Sequence, residues 1–293
     1  MTPLDRTVPQ VAAPAAGWRA RSLPRVDWGL LVAALAAALF AVPLVYAVYV
    51  SLLDQSDLMS ADPTFWPPDV GNYLAVWGEH AFPRYFLNSI IVCSAITLGS
   101  MTTAIMAAYA FARLDFPGRN LLFGAVVATL MVPSHITLIP NYLTIAGLGL
   151  RNTYWALILP FLASGFATFF LRQHFKSLPK EVEEAARIDG AGRWRILWTV
   201  VVPMSRPAIA AIAVFVFLTE WNSYVWPLII TDTDDMRTVE IGLARLFAEE
   251  QEGGINDWPM IIAAAVSILV PPAVVFVFAE RHLVRGVTMG SLQ

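Results

Sequence analysis

The apolar positions of this chain come in long unbroken blocks, without the alternation of a half-buried strand or the single stripe of a surface helix. Six blocks lie near 28–51, 86–112, 121–140, 153–172, 207–230 and 258–280. Each is long enough to span about 30 Å of hydrocarbon at about 1.5 Å per helical residue. Helix is the conformation such a run takes in lipid, because every backbone polar group then finds a partner inside its own segment. The pattern predicts an all-α integral membrane protein with six transmembrane helices. Pro133 and Pro140 predict a third span that kinks or ends early, and Pro271-Pro272 predict a break in the sixth. Residues 1–27 mix Pro, Ala and Arg without apolar period and read as a tail. The block after them is too long for the core of a signal peptide, so it is expected to remain as the first span.

Charge sets the orientation. Of the 19 Lys and Arg, all but Arg84, Arg151, Arg237 and Arg245 fall on the side shared by both chain ends and the 178–207 stretch. The positive-inside rule makes that side cytoplasmic. The opposite loops, 54–85 and 231–257, are acidic and carry Trp66, Tyr73 and Trp77, either as interfacial anchors or as a docking face.

Composition agrees and excludes several classes. The chain is 57% hydrophobic and 14% charged, where a soluble domain carries about a quarter charged residues. A net charge of −3 without a basic cluster argues against nucleic acid. The single cysteine, Cys93, lies in an apolar run, and the four histidines have no metal-ligand spacing. No G-x-x-x-x-G-K-[ST], H-E-x-x-H or G-x-S-x-G occurs, and no span holds paired carboxylates. No catalytic residue, metal or cofactor is therefore expected on this chain.

The stretch 178–207 is too charged for lipid and too patterned for a passive linker. Pro179 and the acids Glu181, Glu183 and Glu184 suit the first turns of a helix. Val182, Ala185 and Ala186 fall on one face, where the alanines admit a close partner, and Gly190 and Gly192 end the helix. A second short helix should carry Trp194, Leu197, Trp198 and Val201 on one stripe and stop at Pro203. This helix–Gly–helix stretch resembles the EAA loop of permease subunits of ABC importers: Glu184-Ala185-Ala186, three residues, Gly190, nine residues, then Val200-Val201-Val202-Pro203 in place of Ile-x-Leu-Pro. The resemblance implies a coupling helix, with Glu184, Ala185, Ala186, Asp189 and Gly190 docking into a separate ATPase. The other reading is an amphipathic connector at the membrane surface.

One acid, Glu220, falls inside a span, in the run EWNSYVWP. A carboxylate there costs a few kcal/mol and normally faces a cavity or partner. Glu220 and Tyr224 lie one turn apart on a common face, with Trp221 and Asn222 on an adjacent one. The run resembles the Trp-Asn motif of carbohydrate-type permeases, and Asn88-Ser89 also matches that family. Glu220, Trp221, Asn222, Tyr224 and Asn88 are thus candidates for the substrate path; the alternative is that they hold helices or subunits together.

The resemblance covers about residues 70–290 and points to carbohydrate-uptake permeases of the maltose-permease type. Within them it points to the branch that takes up glycerol 3-phosphate, through FLASGFATFFLRQHFKSLP, EEAARIDGA and WPLIITDTD. It implies a cytoplasmic tail over 1–27, a first span and outer loop over 28–83, a permease core over 84–283 with the coupling loop, and a non-helical, Gly-rich C-terminal tail over 284–293. It also implies a second permease subunit, two ATPase subunits that carry ATP and Mg, and an extracytoplasmic binding protein, in a bacterial inner membrane with both termini cytoplasmic. No Lys or Arg lies within a span to meet a phosphate. Either the partners hold the phosphate, or the cargo is a neutral sugar or a glycerophosphodiester with a cationic head group. The rival class, a stand-alone secondary transporter, predicts inverted repeats and several intramembrane charges, and neither is present.

Overall fold

The computed structural model describes residues 28–60, 68–78, 81–133, 135–252 and 257–290, without the side chains of 250–252 and 280–290. The expected tail over 1–27, and Asp62, Trp66 and Glu79 of the first outer loop, lie outside the described residues. Every regular element among the described residues is a helix.

The contacts part the chain at Val45/Tyr46, inside α1 (Trp28–Ser51). Every side chain from Trp28 to Val45 is exposed, and nearly all are apolar. A surface of that kind needs lipid or another apolar surface against it.

The second unit is organised along α3 (Phe82–Arg113), which follows the short α2 (Gly71–Gly78). Its only proline, Pro83, sits in the first turn, where a missing N–H costs nothing, and the helix runs unbroken for 32 residues. Ser100, Ala104 and Ala108 recur at i, i+4 and i+8 and are fully buried. Ala104 and Ala108 pack with Ala167, Leu171 and Phe175, which recur at the same interval on α7 (Gly165–Ser177). Small residues on one face let two backbones approach closely, which is how helices associate where lipid offers no hydrophobic contrast.

Prolines shape the other blocks. The expected span 121–140 is not one helix: α4 (Arg119–Thr129) ends before Pro133, and α5 (Leu138–Gly147) begins beyond it with Pro140 in its first turn. At 11 residues α4 is about 16 Å long, too short to cross alone. The fourth block divides into α6 (Tyr154–Ile158), a 3₁₀ turn containing Pro160, and α7, bent by 41°. After α8 (Lys180–Ile188), α9 (Arg193–Met204) meets α10 (Arg206–Trp221) at 82°. Asn222–Tyr224 then leave the helix before α11 (Val225–Ile230), because a continued helix would drive the Pro227 ring into the carbonyl of Ser223.

Two expectations are corrected at the C-terminal end. Helix α13 (Trp258–Gly290), which follows α12 (Val239–Glu252), carries Pro271 and Pro272 inside it without a break. It also continues through 281–290, where a non-helical tail is expected; the glycines there cost about 1 kcal/mol each and do not outweigh their neighbours. Among the described residues three helices are long and apolar enough to cross a membrane (α1, α3 and the Trp258–Ala279 part of α13), and up to five if each bent pair is one span.

Gly242 of α12 is buried against α3, and a Cβ there would run into the Tyr85 ring. Gly242→Ala should destabilise the fold by about 1–3 kcal/mol through overpacking, read as a lower melting temperature of the detergent-solubilised protein; an unchanged melting temperature would show that the ring moves freely.

Candidate functional site

Helix α8 starts after Pro179 and turns two consecutive acids in opposite directions. Glu183 points inward, where Oε1 lies 2.7 Å from Nε of Arg113 at the end of α3; the side chains are 6% and 5% exposed. Nη2 of Arg113 also donates to the carbonyl of Leu178 at 2.7 Å. Glu184 points outward, as do Val182, Ala185, Ile188 and Asp189, and Ile188 is 88% exposed. Ala186 turns from that outer face to pack against the apolar cluster of α3 and α7, so the two alanines do not share one face as the spacing predicts. Glu183, Ala186 and the outward residues together use the whole circumference of this short helix.

Gly190 closes α8 with φ +80°. Its N–H donates to Arg187 at 3.0 Å, and the N–H of Ala191 reaches back to Ala186 at 2.9 Å. These two bonds make a Schellman cap, and Ala191 and Ala186 supply its apolar contact. In α9, Ile196, Leu197 and Val201 are buried while Trp194 and Trp198 are 65% and 42% exposed, so the predicted single stripe of four is split. Pro203 does not stop this helix. Residues Leu197–Val201 form a π-helical turn, whose wider i→i+5 loop gives the proline ring room, and the helix ends one residue after Pro203 at Met204, capped by Ser205.

The broken span α10–α11 lies beside two cavities. The first, about 290 Å³, is lined by Ser100, Ser164, Gly165, Phe166, Thr219 and Glu220, among others, and has Phe161 in its wall. Glu220 is half-buried there, and no hydrogen-bond or ion-pair partner for its carboxylate occurs among the described residues. Ser164 caps α7 by accepting from the N–H of Ala167 at 3.1 Å, which places the positive end of that helix dipole in the cavity wall. Tyr224 lines a second cavity of about 230 Å³ with His135, Asn141 and Trp226, and Phe161 belongs to both. The helix break at Asn222–Tyr224 separates Glu220 from Tyr224, so the common face expected of an unbroken helix is absent. Asn222 is exposed, with Nδ2 donating to Leu218 at 2.6 Å. Trp221 is 2% exposed and packs between Phe86 and Phe217 at 5.8 and 5.7 Å, within an apolar cluster.

Asn88 is fully buried and its amide is occupied. Nδ2 donates to the carbonyls of Asp235 and Arg237, both at 2.8 Å, and Oδ1 accepts from the Tyr154 hydroxyl at 2.6 Å. Next to it, Ser89 Oγ accepts from the N–H of Val239 at 2.9 Å. The 230–239 loop is held a second time by Asn152, at φ +57°, whose Oδ1 accepts from the N–H groups of Asp232 and Thr233 at 2.9 and 3.1 Å. Arg151 pairs with Asp232 at 2.9 Å. The partners of Glu183, Ser89 and Asn152 are 70 or more positions away and so out of reach of local sequence; an Asn three residues after the turn glycine Gly149, and small polar residues in a span, are the only local signals. Among the described residues no group of His, Cys, Asp and Glu could hold a metal ion.

Comparison with known proteins places this geometry. Residues 99–289 match the profile of the family described as binding-protein-dependent transport system inner membrane component. The sn-glycerol-3-phosphate transport system permease protein UgpE of Yersinia pestis bv. Antiqua (strain Antiqua) is 38% identical over 252 residues, covering 83% of this chain and 89% of its own. The protein of the same name from Escherichia coli O1:K1 / APEC is 36% identical over 265 residues, 88% of this chain and 93% of its own. Among solved structures, a chain of a bacterial ABC transporter involved in import of the acidic polysaccharide alginate matches with a TM-score of 0.76 at 22% identity, over 89% of this chain and 99% of that one. The MetNI methionine ABC transporter matches more loosely, with a TM-score of 0.52 at 14% identity over 69% and 94%.

Nothing lies within 4 Å of a Cβ built on Gly190, so a side chain there is strained by its backbone and not by crowding. Gly190→Ala should cost about 1–2 kcal/mol, the penalty of a left-handed L-residue, and Gly190→Asn clearly less, measured as melting temperatures of the two variants side by side. Equal melting temperatures for all three proteins would mean that the turn is not held in the left-handed form.

Proposed function

The chain belongs to the family of binding-protein-dependent transport system inner membrane components, and from that membership we propose that it carries sn-glycerol 3-phosphate or related glycerophosphodiesters inward as one permease subunit of an ATP-driven importer. The observation that carries the cargo assignment is identity of 36–38% with sn-glycerol-3-phosphate permeases over most of both chains. ATP and Mg belong to two separate ATPase subunits, cargo capture to an extracytoplasmic binding protein, and a second, unlike permease completes the path. Both termini and α8 face the cytoplasm, on the side rich in Lys and Arg.

In this reading α8 is the coupling helix. Its outward residues Glu184, Ala185 and Asp189 meet the ATPase, and Ala186 and Gly190 fix how the helix stands on the bundle. ATP binding closes the ATPases, moves this helix and switches the path between inward and outward openings. The path runs past Glu220 and Tyr224, through the cavities divided by Phe161. The helix end at Ser164–Gly165 supplies what an anionic cargo wants in a wall without Lys or Arg. Glu220 suits the cationic head group of a glycerophosphodiester. Asn222 stands at the break between the two openings, while Trp221 and Asn88 shape the path from behind by holding α10 and α3.

Uptake of radiolabelled sn-glycerol 3-phosphate by cells that depend on this importer tests the proposal. Ala185→Trp should lower uptake by more than about tenfold, or 1.4 kcal/mol, and release the ATPase from the purified complex; full uptake with the ATPase still bound would remove α8 from coupling. Glu220→Gln should change KM for at least one of sn-glycerol 3-phosphate, a choline-bearing glycerophosphodiester and a neutral sugar. Unchanged transport of all three takes Glu220 off the path.

A further inference from the structure

We propose that α3 is a strut tied at both ends, and that the buried Arg113–Glu183 pair is the joint through which it passes the state of the 234–239 loop to the coupling helix. The proposal rests on the permease reading and adds a positioning role for residues outside the docking face.

The helix has the dimensions for this. Its 32 residues reach about 48 Å, beyond the roughly 30 Å of hydrocarbon, so both ends stand clear of lipid. At the Phe82 end, three successive polar side chains grip one loop. Nε of Arg84 donates to Asp235 at 3.1 Å, Asn88 donates to both Asp235 and Arg237, and Ser89 accepts from Val239. At the other end Arg113 grips the two sides of Pro179, by Leu178 before it and Glu183 after it. Arg172 of α7 adds a bond to the carbonyl of Phe111 at 3.3 Å. Helix α8 therefore cannot slide or roll on α3 without parting a buried ion pair.

Burial makes the joint stiff. An exposed pair parts easily because water solvates both charges, whereas these two side chains are 5% and 6% exposed, so parting them leaves each charge short of water. Glu184, one residue on, faces outward to the ATPase. Adjacent acids thus serve as tie and contact, so a displacement of the outer loop along α3 arrives at the docking face.

The test uses the whole complex, with both permeases, the ATPases and the binding protein, in lipid nanodiscs. The measurement is the ratio of ATP turnover with cargo-loaded binding protein to turnover without it. The double variant Arg113→Gln/Glu183→Gln leaves no bare charge and gives up, besides the pair, only the bond to Leu178, so it should still assemble with the ATPase, with a slightly lowered melting temperature. Its ratio should nevertheless fall by at least about 5-fold, the lower end of ordinary coupling between sites. A double variant with the wild-type ratio overturns the proposal. Ser89→Ala loosens the other end, and its ratio should fall while its affinity for the binding protein holds. Should the double variant fail to assemble, an unchanged ratio in Ser89→Ala decides against the strut. A wild-type complex that never responds to the loaded binding protein sinks the permease reading itself.

Discussion

The close approach of α3 to α7 is the constraint on which the rest depends. Ala104, Ala108 and Ala167 show essentially no exposed surface, so the two backbones meet with almost nothing between them. In lipid this contact draws on packing and dispersion, because the hydrocarbon around it is as apolar as the side chains. With that seam fixed, the Arg113 end of α3 is set beside α8, and Ser164 at the start of α7 is set beside Glu220. The same contact thus orders both the stand of α8 and the wall of the cavity.

Prolines do the complementary work of interrupting helices. Pro133, Pro160, Pro207 and Pro227 each stand at or just after a point where an apolar block stops being helical. Irregular backbone at membrane depth is tolerable where it is buried in protein or lines a cavity. Phe161 and the Ser164–Gly165 turn come from one such interruption, and Asn222–Tyr224 border another. Pro271 and Pro272 fall within α13 and leave it intact, so proline content alone does not mark an interruption.

What could be read from the sequence was what is local in it. The apolar blocks give an all-α membrane fold because their length is a property of the run itself. The spacing from Glu184 to Gly190 gives a helix and its left-handed cap because both are settled within one turn. The direction of Glu183 was out of reach, since nothing near it in the chain says that Arg113 lies opposite. The block 121–140 was read as one span because its composition stays apolar across Pro133. Trp194 and Trp198 were grouped with Leu197 and Val201 on a regular helical period, which the π turn shifts. Glu220 and Tyr224 were joined by the same assumption of an unbroken helix.

Cys93 has a use that follows from its position alone. It is the only thiol in the chain, it sits on α3 about three turns from Ala104 of the seam, and it is 2% exposed in the cluster with Trp221 and Phe217. Buried there, it is shielded from alkylating reagents, so its labelling rate follows any loosening of the cluster that α3, α10, α12 and α13 share. The molecule thus carries a built-in clock for the loosening of that cluster, and its accessible faces are free of background thiol when reporter groups are attached there.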